Sequence, residues 1–359
     1  MAPSNPRDWN APQLRTRLLT WYEANQRELP WRENKDPYSI WVSEIMLQQT
    51  RVAVVIDRHR LFLERFPSVA ALAFAAEHDV LAMWSGLGYY RRARMLHKAA
   101  IFVTENLNGV LPTTSAELRK LPGIGVYTAA AIASIAHGER IAVVDGNVER
   151  VLCRLAGWEA AADTGATALR RKIDVLADEL VDPRRPGDFN QAMMELGATV
   201  CLPRNPQCLV CPIAAHCATR GEHKTAPRAR MLSREIAHAL SVRTRRNKLE
   251  VLLEQRPATV TVMPGMWELP ALANAEVPEE HLRMAVRHAI MQVNYYVRIR
   301  AVLEEDVLSV LGPDSSNRGW VRANELSSLP LTGLARKVLI RAHLLAPASR
   351  HGRKAATLL

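Results

Sequence analysis

Apolar residues recur every three to four positions through most of the first 217 residues, which is the spacing of helices that bury one face. The segments with this spacing are 14–22, 38–47, 52–66, 70–83, 92–104, 127–136 and 188–200. Prolines stand at the starts of these segments or in the turns before them, at positions 37, 67, 112 and 122. The pattern predicts an almost entirely helical region from residue 12 to about residue 217.

The pattern changes after residue 217. Residues 218–248 contain nine Arg or Lys against two acids. Alternating polar and apolar positions then predict strands at 236–242, 248–254, 259–263 and 293–303, and residues 331–345 have helical spacing. The predicted organisation is a helical domain at 1–220, a basic linker at 221–234, a smaller α+β domain at 235–345 and a basic tail at 346–359.

Length and charge narrow the class of protein. A chain of 359 residues is long for one core, which favours two domains. The formal net charge of +11 favours a polyanionic partner, most simply nucleic acid. No apolar run approaches the length of a membrane helix, and residues 1–14 carry no apolar export segment. We therefore expect a cytoplasmic protein that acts on the nucleoid.

Four of the five cysteines lie within 17 residues, at Cys201, Cys208, Cys211 and Cys217. A reducing compartment makes disulfides an unlikely use for such a cluster. Four thiolates from one short loop can each bind a different iron of a 4Fe-4S cluster. A structural zinc is the alternative, although it usually takes two separated C-x-x-C pairs and only one is present here.

Glu44 is a single acid within the apolar run "SIWVSEIMLQQT" at 39–50. Helical spacing puts Trp41 and Leu47 three residues on either side of it. An apolar wall of this kind disfavours the ionised carboxylate and raises its pKa, which suits a general acid near neutral pH. The alternatives are a buried structural acid paired with an arginine and a boundary position facing solvent.

Two further motifs stand about twenty residues apart. The stretch "LPGIGVYTAAAIA" at 121–133 predicts two helices joined by a turn that contains Gly123 and Gly125. Such a turn lets backbone N–H groups approach a phosphate, although any tight helix connection could look the same. Asp145 follows an apolar run and precedes a helix, so it is predicted to cap residues 147–155, to face the cleft beside the hairpin, or both.

Together these motifs resemble the endonuclease III superfamily of DNA glycosylases. The resemblance rests on the L-P-G-x-G hairpin, the acid in V-D-G-N-V and the C-x6-C-x2-C-x5-C loop. Within that superfamily, "LPWR", "WVSEIMLQQT", "GLGYYRRAR" and "FNQAMMELGA" look like the MutY-type adenine DNA glycosylases. The similarity runs from about residue 29 to residue 217. It implies a helix–hairpin–helix at about 113–136, a 4Fe-4S loop at 201–217 and a monomer that acts on duplex DNA with mispaired adenine.

The resemblance also implies a role for each matching residue. Glu44 corresponds to the catalytic acid, and Asp145 to the carboxylate that stabilises an oxocarbenium-like sugar. Tyr127 stands where lyase members carry a lysine, which implies base removal by water without strand cleavage. Tyr127 and Asn147 match further residues that line the catalytic site. The implied adenine pocket consists of Arg27, Trp31, Arg32, Leu47 and Gln191, and the implied DNA contacts are Gln49, Tyr89, Gly123 and Gly125.

The C-terminal part resembles the Nudix-like domain of this family through "VMPGMWELP" at 262–270. It lacks the paired glutamates of Nudix hydrolases, so we do not expect pyrophosphate hydrolysis. The segment 286–296 corresponds to the loop in which relatives carry Phe-Ser-His and recognise the opposing base, and aligning on His288 puts Ile290, Met291 and Gln292 there. Methionine offers no useful hydrogen bond, so the alignment implies weak selectivity for 8-oxoguanine.

The expected function is a monofunctional glycosylase that removes adenine opposite 8-oxoguanine or guanine by hydrolysing the N-glycosidic bond, in base-excision repair. One alternative is a bifunctional glycosylase and AP lyase for oxidised pyrimidines, which Tyr127 and the C-terminal domain disfavour. The other is a non-catalytic iron–sulfur DNA-binding damage sensor, which an intact pair of Glu44 and Asp145 disfavours.

Overall fold

A computed structural model describes residues 10–158, 166–223, 231–290 and 292–347. Half of the predicted linker (224–230), nearly all of the predicted tail and Met291 therefore lie outside the described residues. The chain divides into two compact units. The first consists of Met1–Val52, Phe66–Ala73 and Lys98–Ala226, and the second of Ala53–Arg65, Phe74–His97 and Pro227–Leu359.

Thirteen α-helices form in the described residues. They are α1 (Ala11–Asn25), α2 (Pro37–Leu47), α3 (Val52–Arg65), α4 (Val69–Ala73), α5 (Glu77–Met83), α6 (Arg91–Asn106), α7 (Ser115–Leu118), α8 (Val126–His137), α9 (Gly146–Ala156), α10 (Ala166–Leu180), α11 (Pro186–Thr199), α12 (Val307–Leu311) and α13 (Gly333–Arg341). The prediction of a single helix at 70–83 is wrong, because this segment forms two helices, α4 and α5. Glu77 and Asp79 lie in the first turn of α5, where acids interact favourably with the helix dipole and favour a new start.

The first unit is helical and has its main core where α1, α9, α10 and α11 meet. Leu18, Leu152 and Leu196 are fully buried there. Helix α2 packs against α8 and is almost entirely buried. Asp36 caps α2 by accepting hydrogen bonds from the backbone N–H groups of its first turn, which fixes where the helix starts. No helix in the described ranges is long and apolar enough to cross a bilayer.

The second unit contains a mixed sheet of six strands. They are β1 (Leu232–Arg245), β2 (Lys248–Gln255), β3 (Trp267–Glu268), β4 (Leu282–Ile290), β5 (Val293–Val302) and β6 (Arg318–Arg322). The order is β3-β2-β1-β5-β4, and β6 also pairs with β2. Strands β1 and β5 are parallel, with Leu240 opposite Ala301, while the other pairs are antiparallel. Helix α13 packs its apolar face on this sheet through Val338 and Leu339.

Three predictions about the second unit are wrong in detail. Residues 259–263 form no strand, because β2 pairs directly with β3 and the segment between them turns through Met263 at a positive φ of 50°. The segment 286–296 is not one loop, because its first half belongs to β4 and pairs with β5. Strand β1 begins at Leu232, so the last three residues of the predicted linker are part of the sheet.

Candidate active site

A cavity of about 790 Å³ within the first unit is lined by most of the residues that the sequence singles out. Those on its wall are Arg27, Trp31, Arg32, Glu44, Leu47, Gln49, Gly123, Gly125, Tyr127, Asp145, Asn147 and Gln191. They come from five separated parts of the chain, so the fold brings together groups that are distant in sequence. A volume of this size is typical of a ligand-binding cavity.

Glu44 lies on α2 and is only 5% exposed. Burial raises the pKa of its carboxyl group, and the charge of Asp145 raises it further. The hydrogen bond from Tyr127 and the charge of Arg32 act in the opposite direction, and the balance puts the pKa at about 7. Glu44 is therefore buried, as the apolar residues around it in the sequence predict, and the group can hold a proton near neutral pH.

Tyr127 lies in the first turn of α8 and donates its phenolic hydrogen to Glu44 Oε2 at 2.7 Å. The sulfur of Met194 on α11 lies 3.5 Å from the same hydroxyl. Burial and the charges of Glu44 and Asp145 raise the pKa of Tyr127 well above its ordinary value. Tyr127 thus remains a neutral hydrogen-bond donor throughout the physiological range.

Asp145 caps α9, and both of its carboxylate oxygens accept hydrogen bonds. Oδ1 accepts hydrogen bonds from the backbone N–H groups of Asn147 and Val148, at 2.9 and 2.7 Å. Oδ2 accepts one from the side-chain amide of Asn147 at 3.0 Å. The predicted cap and the predicted position beside the hairpin therefore coincide, because the capping geometry holds a carboxylate on the cavity wall.

Glu195 on α11 is a buried acid that the sequence analysis did not single out. It is 1% exposed and bridges two predicted pocket residues. Arg27 donates to Oε1 at 2.6 Å and to Oε2 at 2.9 Å, and Arg32 donates to Oε2 at 2.8 Å. Burial alone would raise the pKa of Glu195, but the hydrogen bonds and charges of the two arginines outweigh it and hold the pKa below its usual value. This acid fixes both guanidinium groups at the cavity wall.

Arg150 connects Asn147 to the start of the cysteine loop. Its Nη2 donates to Asn147 Oδ1 at 2.9 Å and to the carbonyl of Gly197 at 2.6 Å. Its Nε donates to the carbonyl of Cys201 at 2.9 Å. A single guanidinium thereby orients the amide that holds Asp145.

Helix α11 approaches α9 very closely at Gly197. A Cβ placed on Gly197 would lie 2.6 Å from Asn147 Cβ and 3.0 Å from the Asn147 carbonyl oxygen. Any side chain there would displace Asn147 or separate the two helices. A glycine at this position is therefore a requirement of the site, and the local sequence pattern does not indicate it.

The region that carries these groups matches a known family. A family profile described as "HhH-GPD superfamily base excision DNA repair protein" matches residues 42–174, which include Glu44, Tyr127, Asp145 and Asn147. Over these matched residues the helical region is similar to the HhH-GPD superfamily. Its hairpin turns through Gly123 at a φ of +76°, a backbone conformation that favours glycine.

Curated relatives share substantial sequence identity with more than half of this chain. The chain is 48% identical over 216 residues to an adenine DNA glycosylase of Homo sapiens, a match that covers 58% of this chain and 39% of that protein. It is 38% identical over 201 residues to an adenine DNA glycosylase of Buchnera aphidicola subsp. Schizaphis graminum, over 56% of this chain and 57% of that protein. The chain thus spans about two fifths to three fifths of the length of these relatives.

A solved structure is similar in fold to more than half of this chain. A thermostable thymine-DNA glycosylase aligns with a TM-score of 0.53 and 27% sequence identity, over 58% of this chain and 96% of that chain. The similarity covers most of the shorter protein, so the helical part of this chain has the fold of a complete glycosylase, to which the mixed-sheet part is additional.

The four loop cysteines follow α11 and share one small cavity with Arg154. Arg154 Nη1 lies 3.3 Å from Cys201 Sγ, and the backbone N–H of Arg220 lies 3.4 Å from Cys217 Sγ. Both contacts bring a hydrogen-bond donor to a sulfur. Among the described residues, no three His, Cys, Asp or Glu side chains are arranged to hold a metal ion.

The remaining predicted residues lie in the second unit, outside this cavity. Tyr89 is 49% exposed and has a positive φ of 48°. His288 lies on β4, where burial and the charge of Lys337 lower its pKa. Gln292 is exposed in the turn between β4 and β5. His288 and Gln292 belong with Met291 to the segment 286–296, the predicted recognition segment, and Met291 lies outside the described residues.

Proposed function

We propose that this protein is a monofunctional DNA glycosylase that removes adenine mispaired with 8-oxoguanine or guanine in base-excision repair. The observation that carries the proposal is the buried carboxyl group of Glu44, with a pKa of about 7, in a cavity that Asp145 also lines. The similarity of the helical region to adenine DNA glycosylases supports the choice of base.

In this proposal, the adenine leaves the duplex and enters the cavity, which costs a few kcal/mol of stacking. Arg27 and Arg32 offer hydrogen-bond donors at fixed positions because Glu195 holds them. Gln191 offers an amide on the same wall. Gln49 and Tyr89, both exposed and both at positive φ, are proposed to contact the DNA around the vacated position.

Glu44 then supplies the proton. Adenine is a poor leaving group until a ring nitrogen is protonated, and Glu44 in its neutral form can donate to that nitrogen. The bond between the sugar carbon and the base nitrogen breaks, and its electrons leave with the neutral adenine. The sugar takes on oxocarbenium character, which the negative carboxylate of Asp145 stabilises.

Water completes the reaction. Its oxygen bonds to the sugar carbon, and its proton passes to the carboxylate of Glu44, which restores the neutral acid for the next cycle. Tyr127 and Asn147 hold the two carboxyl groups in place. A phenol cannot form a Schiff base with the sugar, so the abasic product is left with its strand intact.

Single-turnover excision on duplexes with adenine opposite 8-oxoguanine, guanine or cytosine tests this proposal. We expect free adenine and a strand break only after alkali, and we expect Glu44→Gln to abolish excision while duplex binding stays nearly unchanged. Strand cleavage without alkali would favour the lyase alternative. Wild type and variant that bind DNA but are equally inert would favour the damage sensor.

We also propose that Cys201, Cys208, Cys211 and Cys217 bind a 4Fe-4S cluster. In such a cluster each thiolate bonds a different iron, so the four sulfurs stand further apart than around a single tetrahedral ion. Four thiols around one shared cavity, with N–H donors directed at two of them, fit that ligand set. The bound cluster would hold the loop after α11 together. Iron and sulfide analysis of purified protein, against zinc, decides between the two metals.

The C-terminal part, at 235–345, is proposed to be a Nudix-like domain that recognises the base opposite the adenine. The protein is proposed to bind duplex DNA as a monomer. Its mixed sheet and the segment around Trp267 are compatible with that fold. With Ile290, Met291 and Gln292 in the recognition segment, we expect weaker discrimination between 8-oxoguanine and guanine than a Phe-Ser-His segment gives. A rate difference of several hundredfold between the two duplexes would contradict this.

A further inference from the structure

Two arginines of the second unit converge on one exposed glycine. Arg58 lies on α3, Arg336 lies in the first turns of α13, and Gly86 precedes the exposed Tyr89 by three residues. A Cβ placed on Gly86 would lie 3.4 Å from Arg58 Nη2 and 4.0 Å from Arg336 Nε. A group resting on Gly86 can therefore reach both guanidinium groups at once.

Neither guanidinium is neutralised by an ion pair within the described residues. None of the ion pairs of 4.0 Å or less found there includes Arg58 or Arg336. The acid whose charge acts on Arg58 is its neighbour Asp57. Burial lowers the pKa of Arg58, and the positive charge of Arg336 lowers it further. Two half-buried like charges this close favour an anion between them.

The floor of the site is rigid and polar. Ser85 is fully buried, and its Oγ lies 3.4 Å from Arg336 Nη1. Tyr90, which is 3% exposed, donates its hydroxyl to the carbonyl of Leu331 at 2.9 Å, just before α13. These bonds tie the segment around Gly86 to the start of α13, so the position of Arg336 relative to Gly86 is set by the fold.

We propose that Arg58 and Arg336 together bind one phosphate group of the DNA backbone, which lies over Gly86. This rests on the proposed function for the identity of the ligand, and on the geometry for the existence of the site. Guanidinium groups bind phosphate oxygens through paired, charge-assisted hydrogen bonds. Such a contact carries no sequence information but fixes the register of the strand. It would anchor the DNA next to Tyr89.

The salt dependence of duplex binding tests the site. The full protein is titrated with a duplex that carries an uncleavable adenine analogue, at several salt concentrations, as wild type and as the double variant Arg58→Met with Arg336→Met. Losing one phosphate contact should make the slope of log K against log salt shallower by about 0.9 and weaken binding about tenfold. The control double variant is Arg60→Met with Arg341→Met, which removes exposed arginines from the same two helices. It should keep the wild-type slope.

Four further results separate the phosphate site from its alternatives. Equal slopes for the test and control double variants would mean that no phosphate is bound there. If the free wild-type protein binds inorganic phosphate at millimolar concentration while the double variant keeps the wild-type slope for duplex binding, the site binds free phosphate and not the DNA backbone. The variants Arg58→Lys and Arg336→Lys keep the charge and should retain most of the slope, which separates charge loss from misfolding. If the slope changes in the Arg58→Met and Arg336→Met double variant but the wild type excises no adenine, the phosphate site is supported and the proposed glycosylase function is contradicted.

Discussion

The hydroxyl of Tyr127 lies 2.7 Å from Glu44 Oε2 and donates a hydrogen bond to it. This contact lowers the pKa of Glu44, whereas burial and the charge of Asp145 raise it. The carboxyl group therefore titrates at about pH 7 instead of far above or below it. A general acid is most useful when its pKa is close to the working pH, so this balance is what makes Glu44 suited to its proposed role.

Replacing Tyr127 by phenylalanine should move the pH profile of excision. The change removes a donor that stabilises ionised Glu44, so the pKa of Glu44 rises and the alkaline fall of the single-turnover rate shifts to higher pH. Tyr38→Phe is the control, since Tyr38 lies on α2 with Glu44 but its hydroxyl donates to the carbonyl of Phe66. An unmoved or lowered alkaline limb in Tyr127→Phe would contradict the assignment.

Glu44→Gln should be inactive but more stable than wild type at alkaline pH. Because the folded pKa of about 7 exceeds the ordinary 4.5, Glu44 binds its proton more tightly in the folded state. That stability is present below pH 4.5 and is lost as pH rises through 7. The free energy of unfolding of the variant relative to wild type should therefore grow by about 2 to 3 kcal/mol between pH 5 and pH 8. Denaturant titrations at both pH values measure it, and a constant difference would argue against a raised pKa.

Gly197→Ala should disable the site without replacing any residue that lines the cavity. The added methyl would lie 2.6 Å from Asn147 Cβ, so Asn147 must move and carry Asp145 with it. Misplacement of this kind costs about 100-fold in rate, with about 1 to 3 kcal/mol of stability lost to overpacking. Gly319→Ala is the matched control, because a Cβ there meets nothing within 4 Å. Full activity in Gly197→Ala would show that the helix contact is not needed.

We expect Arg92 to affect the excision rate indirectly, by holding Tyr89 in position. Arg92 Nη2 donates to the carbonyls of Leu87 and Gly88 at 3.1 Å each, and its guanidinium stacks on the Tyr89 ring at 5.6 Å. These contacts hold Tyr89 in its strained positive-φ conformation. We expect Arg92→Met to slow excision about tenfold in wild type but to have little effect in a Tyr89→Ala background.

The control for that cycle is Arg91→Met, which removes an exposed charge from the adjacent position. Its effect should be the same in the wild-type and Tyr89→Ala backgrounds. Additive effects of Arg92→Met and Tyr89→Ala would mean that Arg92 contributes in some other way than by holding the ring.

The sequence was sufficient to predict groups that depend on local patterns. Glu44 could be identified because one helical turn on either side of it is apolar, and the burial follows from that spacing. Asp145 could be predicted as a helix cap because an apolar run ends there and a helix begins. The four cysteines were assigned as cluster ligands from their spacing alone, and that assignment stays a prediction. For each of these, neighbours in sequence determine the environment of the side chain.

Groups that depend on long-range packing could not be predicted in the same way. Glu195 stands in "AMMELGA", a setting much like that of Glu44, but its role follows from Arg27 and Arg32, which are more than 160 residues away. The close approach at Gly197 also depends on how two helices pack. In the sheet, β-branched residues at 259–263 favoured a strand, yet the pairing of β2 with β3 left them in the connection.

The most direct test of the account is the titration of Glu44 itself. Carbon-13 NMR of the Glu44 carboxyl group, assigned by comparison with Glu44→Gln, can be recorded over the same pH range as the single-turnover excision rate. We expect the carboxyl resonance to titrate near pH 7 and the rate to fall over the same interval. A carboxyl group that titrates near its ordinary value of 4.5, with excision unchanged up to pH 8, would contradict the claim that a buried neutral acid delivers the proton.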